Sequence, residues 1–285
     1  MSYEKQFQTL IQIIDEKLKK ILPLADQAPA ALHEAMHYAV FTGGKRFRPV
    51  LTLAAAEACG GKLEEALIPA VSIELIHSYS LVHDDLPALD NDDFRRGKPT
   101  VHKRFGEALA ILTGDALLTH AFQILGEIQP AGRALEILTE ISTAAGTYGM
   151  IGGQVADLQS LGQDLDLPLL DHINVHKTGK LIRASLVCGA LAAGADAENR
   201  LRMLHYGELI GLAFQSVDDL HDGDGYLKVM KASEVRDNVR DLIARAKREV
   251  RVLGAKADKL MVLADDLLER MPKETQNHAE MDSKN

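Results

Sequence analysis

The stretch VSIELIHSYSLVHDD, residues 71–85, is an apolar helical segment that runs directly into two adjacent aspartates. The stretch HYGELIGLAFQSVDDLHD, residues 205–222, repeats this arrangement later in the chain. Adjacent carboxylates at the C-terminal end of a helix repel each other and face the negative end of the helix dipole, which costs about 0.3 to 1 kcal/mol for each charge. Two such segments therefore predict a helical protein in which cations compensate both carboxylate clusters.

The rest of the chain carries the same helical pattern. Of its 285 residues, 46% are hydrophobic, and apolar residues recur at helical spacing without runs of alternating β-branched residues. Glycine and proline breaks mark off about ten helices, and none of these breaks has the composition of a domain linker. We therefore expect one all-α domain over residues 1–270. Residues 271–285 are polar and lack apolar periodicity, which predicts a disordered tail.

Charge and composition disfavour several classes of function. The chain has 32 lysine and arginine residues against 41 aspartate and glutamate residues, so it should repel nucleic acid and anionic lipid surfaces. The N-terminal segment lacks a signal-peptide pattern, and the longest apolar stretch, residues 181–195, is too short to span a bilayer. We expect a cytoplasmic protein without membrane insertion, in which Cys59 and Cys188 are free thiols.

The spacing of the aspartates indicates metal binding. Asp218 and Asp222 are four residues apart on one helix, so they share a face and can chelate a hard divalent cation. On a straight helix Asp84 and Asp90 would lie about 240° apart, but Pro87 interrupts the helix and allows a loop to return Asp90 toward Asp84. One cluster alone would be better explained as a solvated acidic helix end. Two clusters, each behind a nearly uncharged helix, favour metal binding.

Basic residues in the same motifs predict a diphosphate ligand, because Mg²⁺ prefers to share its coordination among carboxylates, phosphates and water. The stretch GGKRFRP, residues 43–49, is a glycine loop with three cations that leads into a helix, which suits an anion. Arg95 and Arg96 follow the first aspartate cluster, and arginine favours bidentate phosphate contacts. The alternatives are an ordinary basic connection between helices and charge balance against neighbouring aspartates.

His77 and three short polar fragments complete the candidate set. His77 lies two helical turns before Asp84 on nearly the same face, although a lone histidine is more often a hydrogen-bonded core residue. The fragments lie in apolar helical surroundings, where buried polar groups need partners. They comprise Gln154 with Asp157, Lys177 with Thr178, and Gln215. Hydrogen bonding between helices is the alternative for all of them, and it is favoured for Gln154 and Asp157.

The motifs occur in the order GGKRFRP, SLVHDDLPALDNDDFRRGKPTVH, GQVADL, HKTG and FQSVDDLHD. In this combination the chain resembles the bacterial farnesyl and geranylgeranyl diphosphate synthases over residues 1–222. The resemblance implies a single-domain isoprenoid-synthase bundle, usually a homodimer, with an aspartate motif on each side of a central cavity. It also implies Mg²⁺, or Mn²⁺ as a substitute, and head-to-tail condensation of isopentenyl diphosphate with dimethylallyl or geranyl diphosphate.

The resemblance also assigns roles to individual residues. The family's metal-ligand positions correspond here to Asp84, Asp90 and Asp218, and Asp85 and Asp222 lie close by. Isopentenyl diphosphate is expected to contact Lys45, Arg48, His77 and Arg96. The allylic substrate is expected to contact Arg95, Lys177, Thr178 and Gln215. The catalytic set implied is Asp84, Asp85, Lys177, Thr178 and Gln215. Tyr79, five residues before Asp84, matches the position that limits product length, and we expect farnesyl diphosphate (C15) as the product.

The chain departs from the family pattern after Asp222. The family continues with a glycine- and lysine-rich loop and a Lys-x-Thr-Tyr segment that contacts the allylic diphosphate, whereas this chain continues DGDGYLKVMKASEVRDNVRD. Residues 223–270 are therefore atypical. Either Lys228 or Lys231 replaces the missing lysine, or both are solvated, which is the interpretation that we favour. The alternative functions are a geranyl or geranylgeranyl diphosphate synthase, a class I terpene cyclase, and a weakly active or non-catalytic partner subunit.

Overall fold

The computed structural model of the chain describes residues 3–272, and its regular structure is almost entirely helical. Thirteen α-helices follow one another in this part of the chain: α1 (Tyr3–Ile21), α2 (Ala30–Phe41), α3 (Phe47–Ala58), α4 (Leu63–Asp84), α5 (Val101–Phe105), α6 (Glu107–Leu125), α7 (Ala131–Ala145), α8 (Met150–Ser160), α9 (Leu167–Asn174), α10 (Lys180–Ala192), α11 (Ala197–Asp222), α12 (Ala232–Arg251) and α13 (Asp258–Arg270). A π-helical turn joins α9 to α10 (Val175–Gly179), and 3₁₀ turns flank α12 (Gly225–Lys228 and Gly254–Ala257). The only sheet in the described residues is a two-stranded hairpin, β1 (Phe94–Arg95) with β2 (Lys98–Pro99).

The all-α prediction is confirmed, and the helices are shorter and more numerous than expected. Gly106, with a φ of 87°, separates α5 from α6, and residues 146–149 separate α7 from α8. Most of the predicted disordered tail, from residue 273 onward, lies outside the described residues. Met271, which the prediction placed in that tail, packs against the hydrophobic core, so the ordered part extends slightly further than the polarity pattern indicates.

The core is organised around α10. Nearly every residue of this helix is buried, and it contacts α3, α4, α7 and α11. One hydrophobic cluster extends from Tyr3 in α1 to Leu267 in α13. The two helices that end in aspartate clusters, α4 and α11, thus both pack on α10, and their relative position is set by the most deeply buried element of the bundle.

Arg46 belongs to the glycine loop before α3, but its side chain turns into the core. Its φ of 51° is left-handed. Its guanidinium is buried and donates to Asp15 Oδ1 (2.8 Å), to Glu74 Oε1 (2.7 Å) and to a backbone carbonyl of α2 (2.7 Å). This corrects the interpretation of the loop as a cradle of three cations. One of the three cations, Arg46, is already paired with acidic residues of the protein. This leaves Lys45 and Arg48 as the candidates for binding an anion.

Two helices, α4 and α6, are long and apolar enough to cross a membrane by length and composition alone. Most of the apolar segment of α4 is buried, as expected of a core helix, whereas less than half of that of α6 is buried. One or two helices of this kind are weak evidence for insertion, and the cytoplasmic location stays a prediction.

Glu74→Gln tests the buried ion pair. The substitution keeps the shape of the side chain but leaves the charge of Arg46 with Asp15 alone, 34% of whose side chain is exposed. We expect the free energy of unfolding, measured in urea, to fall by about 2 to 3 kcal/mol. Asp237→Asn is the matched control, because it removes a carboxylate from an exposed pair with Arg240 and should change stability by less than about 1 kcal/mol. Equal losses in the two variants would contradict the prediction.

Candidate active site

A cavity of about 560 Å³ opens between the glycine loop, α3, α4, α11 and the hairpin, and we call it the cationic cavity. Four residues predicted to hold isopentenyl diphosphate line it together: Lys45, Arg48, His77 and Arg96. They come from the glycine loop, the first turn of α3, the body of α4 and the turn of the hairpin. The fold therefore brings them into one wall, while their contact with a substrate stays a prediction.

Arg48 and His77 form the desolvated part of this wall. The Nε of Arg48 is buried and has no hydrogen-bond acceptor within residues 3–272, and burial lowers the pKa of Arg48 to about 10. Burial, together with the positive charge of Arg48, lowers the pKa of His77 well below its usual range, so the imidazole is neutral at pH 7. A buried guanidinium N–H without an acceptor, on a half-buried arginine, favours the binding of an anion here.

The hairpin turns its two arginines in different directions. Arg96 lies at the turn, with a φ of 53°, and its Nη1 donates to the carbonyl of Gly43, which ties the hairpin to the glycine loop. Arg95 lies in β1, where its Nε donates to Asp85 Oδ1 at 2.6 Å and its Nη2 donates to Asp92 Oδ2 at 3.3 Å. Arg95 therefore balances the charge of nearby aspartates in this structure, as the alternative interpretation expects. The contact of Arg95 with an allylic substrate stays a prediction.

The first aspartate cluster folds back at Pro87. α4 ends at Asp84, and the backbone N–H of Asp90 donates to the Asp84 carbonyl at 2.9 Å, which returns Asp90 to the end of the helix. Burial raises the pKa of Asp84 to about 6, and the charge of Asp90 acts in the same direction. Asp85 is 3% exposed and is held by Arg95. Its predicted roles as a metal ligand and catalytic residue thus require that ion pair to open.

The second aspartate cluster occupies the C-terminal end of α11. Asp218 lines the cationic cavity, and burial raises its pKa to about 6, with a further contribution from the charge of Asp222. Asp222 is exposed at the last position of the helix. Asp219, between them, is buried and accepts a hydrogen bond from Gln215 Nε2 at 2.8 Å. Asp218 and Asp222 therefore repel each other in a way that a shared cation would relieve.

A second cavity of about 390 Å³, the apolar cavity, lies between α4, α8 and the π-helical turn. Arg48 and His77 line both cavities, and Asp84 lies in the wall of the apolar one. Tyr79 also lines it, as a buried ring that packs edge-on against His83 with centroids 5.8 Å apart. The other lining residues are largely apolar and include Leu81, Leu89, Met150, Ile151, Gln154, Val155 and Leu158. A hydrocarbon chain attached to a diphosphate near Asp84 would fit such a wall.

The polar fragments of α8, the π-helical turn and α11 are joined by hydrogen bonds. Lys177 Nζ donates to Asp157 Oδ2 at 2.6 Å, and Thr178 Oγ1 donates to Gln215 Oε1 at 2.9 Å. A Cβ at Gly153 would lie 2.2 Å from the backbone nitrogen of Lys177, so only glycine lets α8 approach the turn this closely. The favoured interpretation of Asp157 as a partner between helices agrees with this contact. Lys177 and Thr178 also line the apolar cavity, beside Asp84.

The donors at the site suit a hard metal ion. Within residues 3–272 no group of three histidine, cysteine, aspartate or glutamate side chains is arranged to hold a metal without other ligands. The carboxylates stand instead at two helix ends, with Asp84 and Asp90 after α4 and with Asp218 and Asp222 on α11. Mg²⁺ takes one or two carboxylates and completes its coordination with phosphate and water. The residues present therefore fit magnesium ions shared with a diphosphate.

Arg270, at the end of α13, is a cavity residue that the sequence reasoning missed. It lines the cationic cavity and forms an ion pair with Asp266. Its guanidinium also lies over the rings of Tyr3 and Phe47, at 5.1 Å and 5.7 Å from their centroids. Phe214, another missed lining residue, stacks on Phe47 with centroids 5.1 Å apart. No local motif marks Arg270, because an aspartate four residues earlier on a helix indicates only a stabilising pair.

Comparison with known proteins identifies the family. The family model for polyprenyl synthetases matches residues 29–239. The chain belongs to the polyprenyl synthetase family. It is 48% identical to a farnesyl diphosphate synthase of Geobacillus stearothermophilus over 203 residues, which are 70% of this chain and 68% of that protein. It is 39% identical to a geranylgeranyl diphosphate synthase of Cyanophora paradoxa over 282 residues, with 91% and 93% covered. A crystal structure of an FPP/GFPP synthase from Zymomonas mobilis matches with a TM-score of 0.87 and 38% identity, over 92% of this chain and 97% of that one.

Family membership confirms the resemblance indicated by the motifs. The segment after Asp222 is where the chain departs from the expected pattern. As a polyprenyl synthetase, the chain lacks the lysine-rich loop expected there. Lys228 is exposed and forms an ion pair with Asp224, and Lys231 is exposed at the start of α12. Neither lysine lines the cationic or the apolar cavity. The structure thus agrees with the favoured interpretation that both are solvated.

Asp84→Asn tests the electrostatic strain at the end of α4 in this polyprenyl synthetase. The folded-state pKa of Asp84, about 6, lies above the ordinary 3.8. The protonated form of Asp84 is therefore favoured in the folded chain at low pH, and this contribution to the free energy of unfolding is lost as pH rises through about 6. We expect Asp84→Asn to raise the free energy of unfolding of the metal-free protein by about 1 to 2 kcal/mol at pH 7.5, with the gain shrinking toward pH 4. Urea denaturation across this pH range in a chelator measures it.

Asp164→Asn is the control for this measurement. Asp164 is an exposed loop carboxylate, so its replacement should leave stability unchanged at every pH. If Asp84→Asn behaves in the same way, or destabilises the protein at pH 7.5, the carboxylate of Asp84 is not strained in the folded chain.

Proposed function

We propose that the chain condenses isopentenyl diphosphate with dimethylallyl or geranyl diphosphate to give farnesyl diphosphate. The observation that carries this proposal is the pair of adjoining cavities, one cationic and one apolar, which share Arg48 and His77 in their walls. Condensation needs two diphosphates side by side, one of them attached to a growing hydrocarbon chain. Relatives named farnesyl diphosphate synthase, at 38% to 48% identity, support the choice of product.

The aspartates would hold the metal, and the neighbouring cations would hold the second substrate. Asp84, Asp90, Asp218 and Asp222 would bind Mg²⁺, for which Mn²⁺ is a substitute, and the bound ions would neutralise charge on the leaving diphosphate. Isopentenyl diphosphate would be held by fixed positive charge from Lys45, Arg48 and Arg96, with His77 as a neutral hydrogen-bond donor. This places the isopentenyl group next to the apolar cavity.

The apolar cavity supplies the conditions for ionisation. The allylic carbon–oxygen bond breaks to leave an allylic cation, and the apolar wall keeps water away from it. Lys177 and Thr178 lie in that wall with Asp84 and would contact the allylic diphosphate there, Lys177 by leaving its pair with Asp157, while Gln215 orients Thr178. The isopentenyl double bond attacks the cation, and the released diphosphate is the base for the final proton.

The alternative functions differ in their use of the two cavities. A terpene cyclase ionises one diphosphate and has no use for a cationic cavity, so an assay with and without isopentenyl diphosphate separates it from a synthase. A non-catalytic partner subunit would show no turnover when purified alone. A geranylgeranyl diphosphate synthase, the name of one relative, differs only in how long a chain the apolar cavity accepts.

We also propose that the chain forms a homodimer through an apolar surface on α6 and α7. Leu112 and Leu135 are 54% and 64% exposed, and Ile111 and Leu138 on the same helices are exposed as well. The two helices contact each other, so these side chains belong to neighbouring elements. Exposed apolar residues on adjoining helices indicate a protein contact.

Asp84→Ala and Asp218→Ala test the reaction. Each removes a carboxylate from a partly desolvated cluster, so the charge on the diphosphate would be only partly compensated. We expect each variant to lose several orders of magnitude in turnover at saturating Mg²⁺, measured by incorporation of labelled isopentenyl diphosphate. Asp237→Ala, on the exposed face of α12, should keep wild-type turnover. A variant that keeps more than about a tenth of the activity, a barrier change below about 1.4 kcal/mol, would remove that aspartate from the mechanism.

Tyr79→Ala tests the product length. Tyr79 lies five residues before Asp84, about 7.5 Å along the helix axis, so a prenyl chain that extends from the metal site along α4 meets its ring. We expect the alanine variant to shift the product from C15 toward C20 in chromatographic product analysis. Tyr79→Phe keeps the ring and should keep C15 as the product. The same product from all three folded proteins would show that another residue limits the chain.

Leu112→Glu combined with Leu135→Glu tests the homodimer. Two charges in an apolar contact would have to be desolvated without partners, so the variant should sediment as a monomer at concentrations where the wild type is a dimer. Val252→Glu is the control, because Val252 is also 64% exposed but lies beyond α12. A wild-type chain that is itself monomeric, or a double variant that stays dimeric, would contradict this interface.

A further inference from the structure

Residues 223–231 form an ordered connection in place of the expected loop. Gly223, with a φ of 71°, ends α11, and Asp224 Oδ1 accepts from the backbone N–H of Gly225 at the start of the 3₁₀ turn. The carbonyl of Tyr226 then accepts from the N–H of Met230 at 2.8 Å. The connection therefore has its own internal hydrogen bonds before α12 begins.

Tyr226 anchors this connection to two helices. Its ring is 3% exposed and packs in a small hydrophobic cluster with Leu170 of α9, Leu220 of α11 and Val235 of α12. Its hydroxyl donates to Asp171 Oδ1 on α9 at 2.6 Å. Its backbone N–H donates to Asp219 Oδ2 on α11 at 3.0 Å. One residue thus bridges α9 and α11 by both its side chain and its backbone.

The bridge continues into the residues predicted to act on the allylic substrate. The other oxygen of Asp219 accepts from Gln215, and Gln215 Oε1 accepts from Thr178 in the π-helical turn. Because that turn directly follows α9, Asp171 and Thr178 belong to one continuous stretch of chain. Tyr226 therefore closes a ring of contacts that holds the Lys177–Thr178 segment against the end of α11.

Gly225 shows how closely the connection fits. Its φ is 56°, and a Cβ at this position would lie 2.1 Å from Asp219 Oδ2. The connection therefore lies directly on the carboxylate between Asp218 and Asp222. A segment held by Asp171 and Asp219 and packed into a hydrophobic cluster is not built to swing open and closed.

We propose that Tyr226 is a positioning residue that holds the second aspartate cluster against the Lys177–Thr178 segment, in place of a loop that closes over the substrate. This inference rests on the proposed function for the identity of the ligand, magnesium with a diphosphate. Groups that hydrogen-bond directly to metal ligands typically contribute about 10- to 100-fold in metal affinity. Tyr226 acts one step further out, through Asp219, so we expect an effect at the lower end of that range.

Tyr226→Phe tests the inference, because it removes the hydrogen bond to Asp171 and keeps the buried ring. We expect calorimetric titration with MgCl₂ and inorganic diphosphate to show about tenfold weaker binding than in the wild type. In steady-state assays the KM for the allylic substrate should rise by about the same factor, while the KM for isopentenyl diphosphate changes less than about twofold.

Tyr206→Phe is the matched control. Tyr206 is also a buried tyrosine, on α11, and its hydroxyl donates to the carbonyl of Leu260 at 2.6 Å. Both variants lose the hydrogen bond of one tyrosine hydroxyl, so both should lower Tm, but Tyr206→Phe should bind magnesium diphosphate as the wild type does. If the two variants weaken binding equally, the effect of Tyr226 is general destabilisation and the inference is wrong.

Two variants of Asp171 provide a second test. Asp171→Asn keeps an acceptor oxygen for the hydroxyl of Tyr226 and should bind as the wild type does, whereas Asp171→Leu should reproduce the loss in Tyr226→Phe. Wild-type binding by both Asp171→Leu and Tyr226→Phe would overturn the inference. A wild-type chain without prenyl transfer would contradict the proposed function alone, since calorimetry reports the tenfold loss without turnover. A wild-type chain that does not bind magnesium diphosphate contradicts both.

Discussion

Partly desolvated carboxylates without partners are the constraint on which the site depends. Burial raises the pKa of Asp84 and of Asp218 to about 6, and within residues 3–272 neither side chain forms an ion pair. The residue that follows each of them is treated differently, since Asp85 is bound by Arg95 and Asp219 accepts hydrogen bonds from Gln215. Burial raises the pKa of Asp85 and Asp219 as well, but both have hydrogen-bond partners inside the protein. Asp84 and Asp218, which are predicted metal ligands, have no such side-chain partner within residues 3–272.

The cations show the same division. In the glycine loop Arg46 forms ion pairs with Glu74 and Asp15 inside the protein. Arg48, two residues later, has a buried Nε without an acceptor in the described chain. The paired groups fix the backbone that carries the unpaired ones, because α3 begins immediately after Arg46. Leaving partly buried charges of either sign without a partner costs stability, and a bound counter-charge would remove that cost. The magnesium diphosphate that we propose as the ligand would supply both counter-charges.

The motifs were predictable from the sequence, but which of their charged residues are paired inside the protein was not. Helical periodicity predicted the all-α fold, and the order of the motifs predicted the family, because both signals are local. Arg46 and Arg48 both line the cavity, and the pairing of Arg46 inside the protein depends on its left-handed φ and on Glu74, 28 residues away. Arg270 reaches the cavity only because α13 packs beside α1 and α3, which no local pattern encodes. The hairpin could have been predicted from the sequence, because a glycine such as Gly97 in a two-residue turn is a recognised signal for positive φ.

The short connection after α11 changes how the site must exclude water. If the connection stays anchored by Tyr226 to Asp171 and Asp219, as we propose, water has to be excluded by the fixed walls of the site. The apolar cavity has such walls on the α4 side, but its α8 side is formed by Ile151 and Val155, which are 43% and 47% exposed. The proposed dimer surface lies on α6 and α7, and α7 contacts α8. If the proposed dimer also covers this side of α8, association of two copies would bury part of the cavity wall and contribute to the exclusion of solvent.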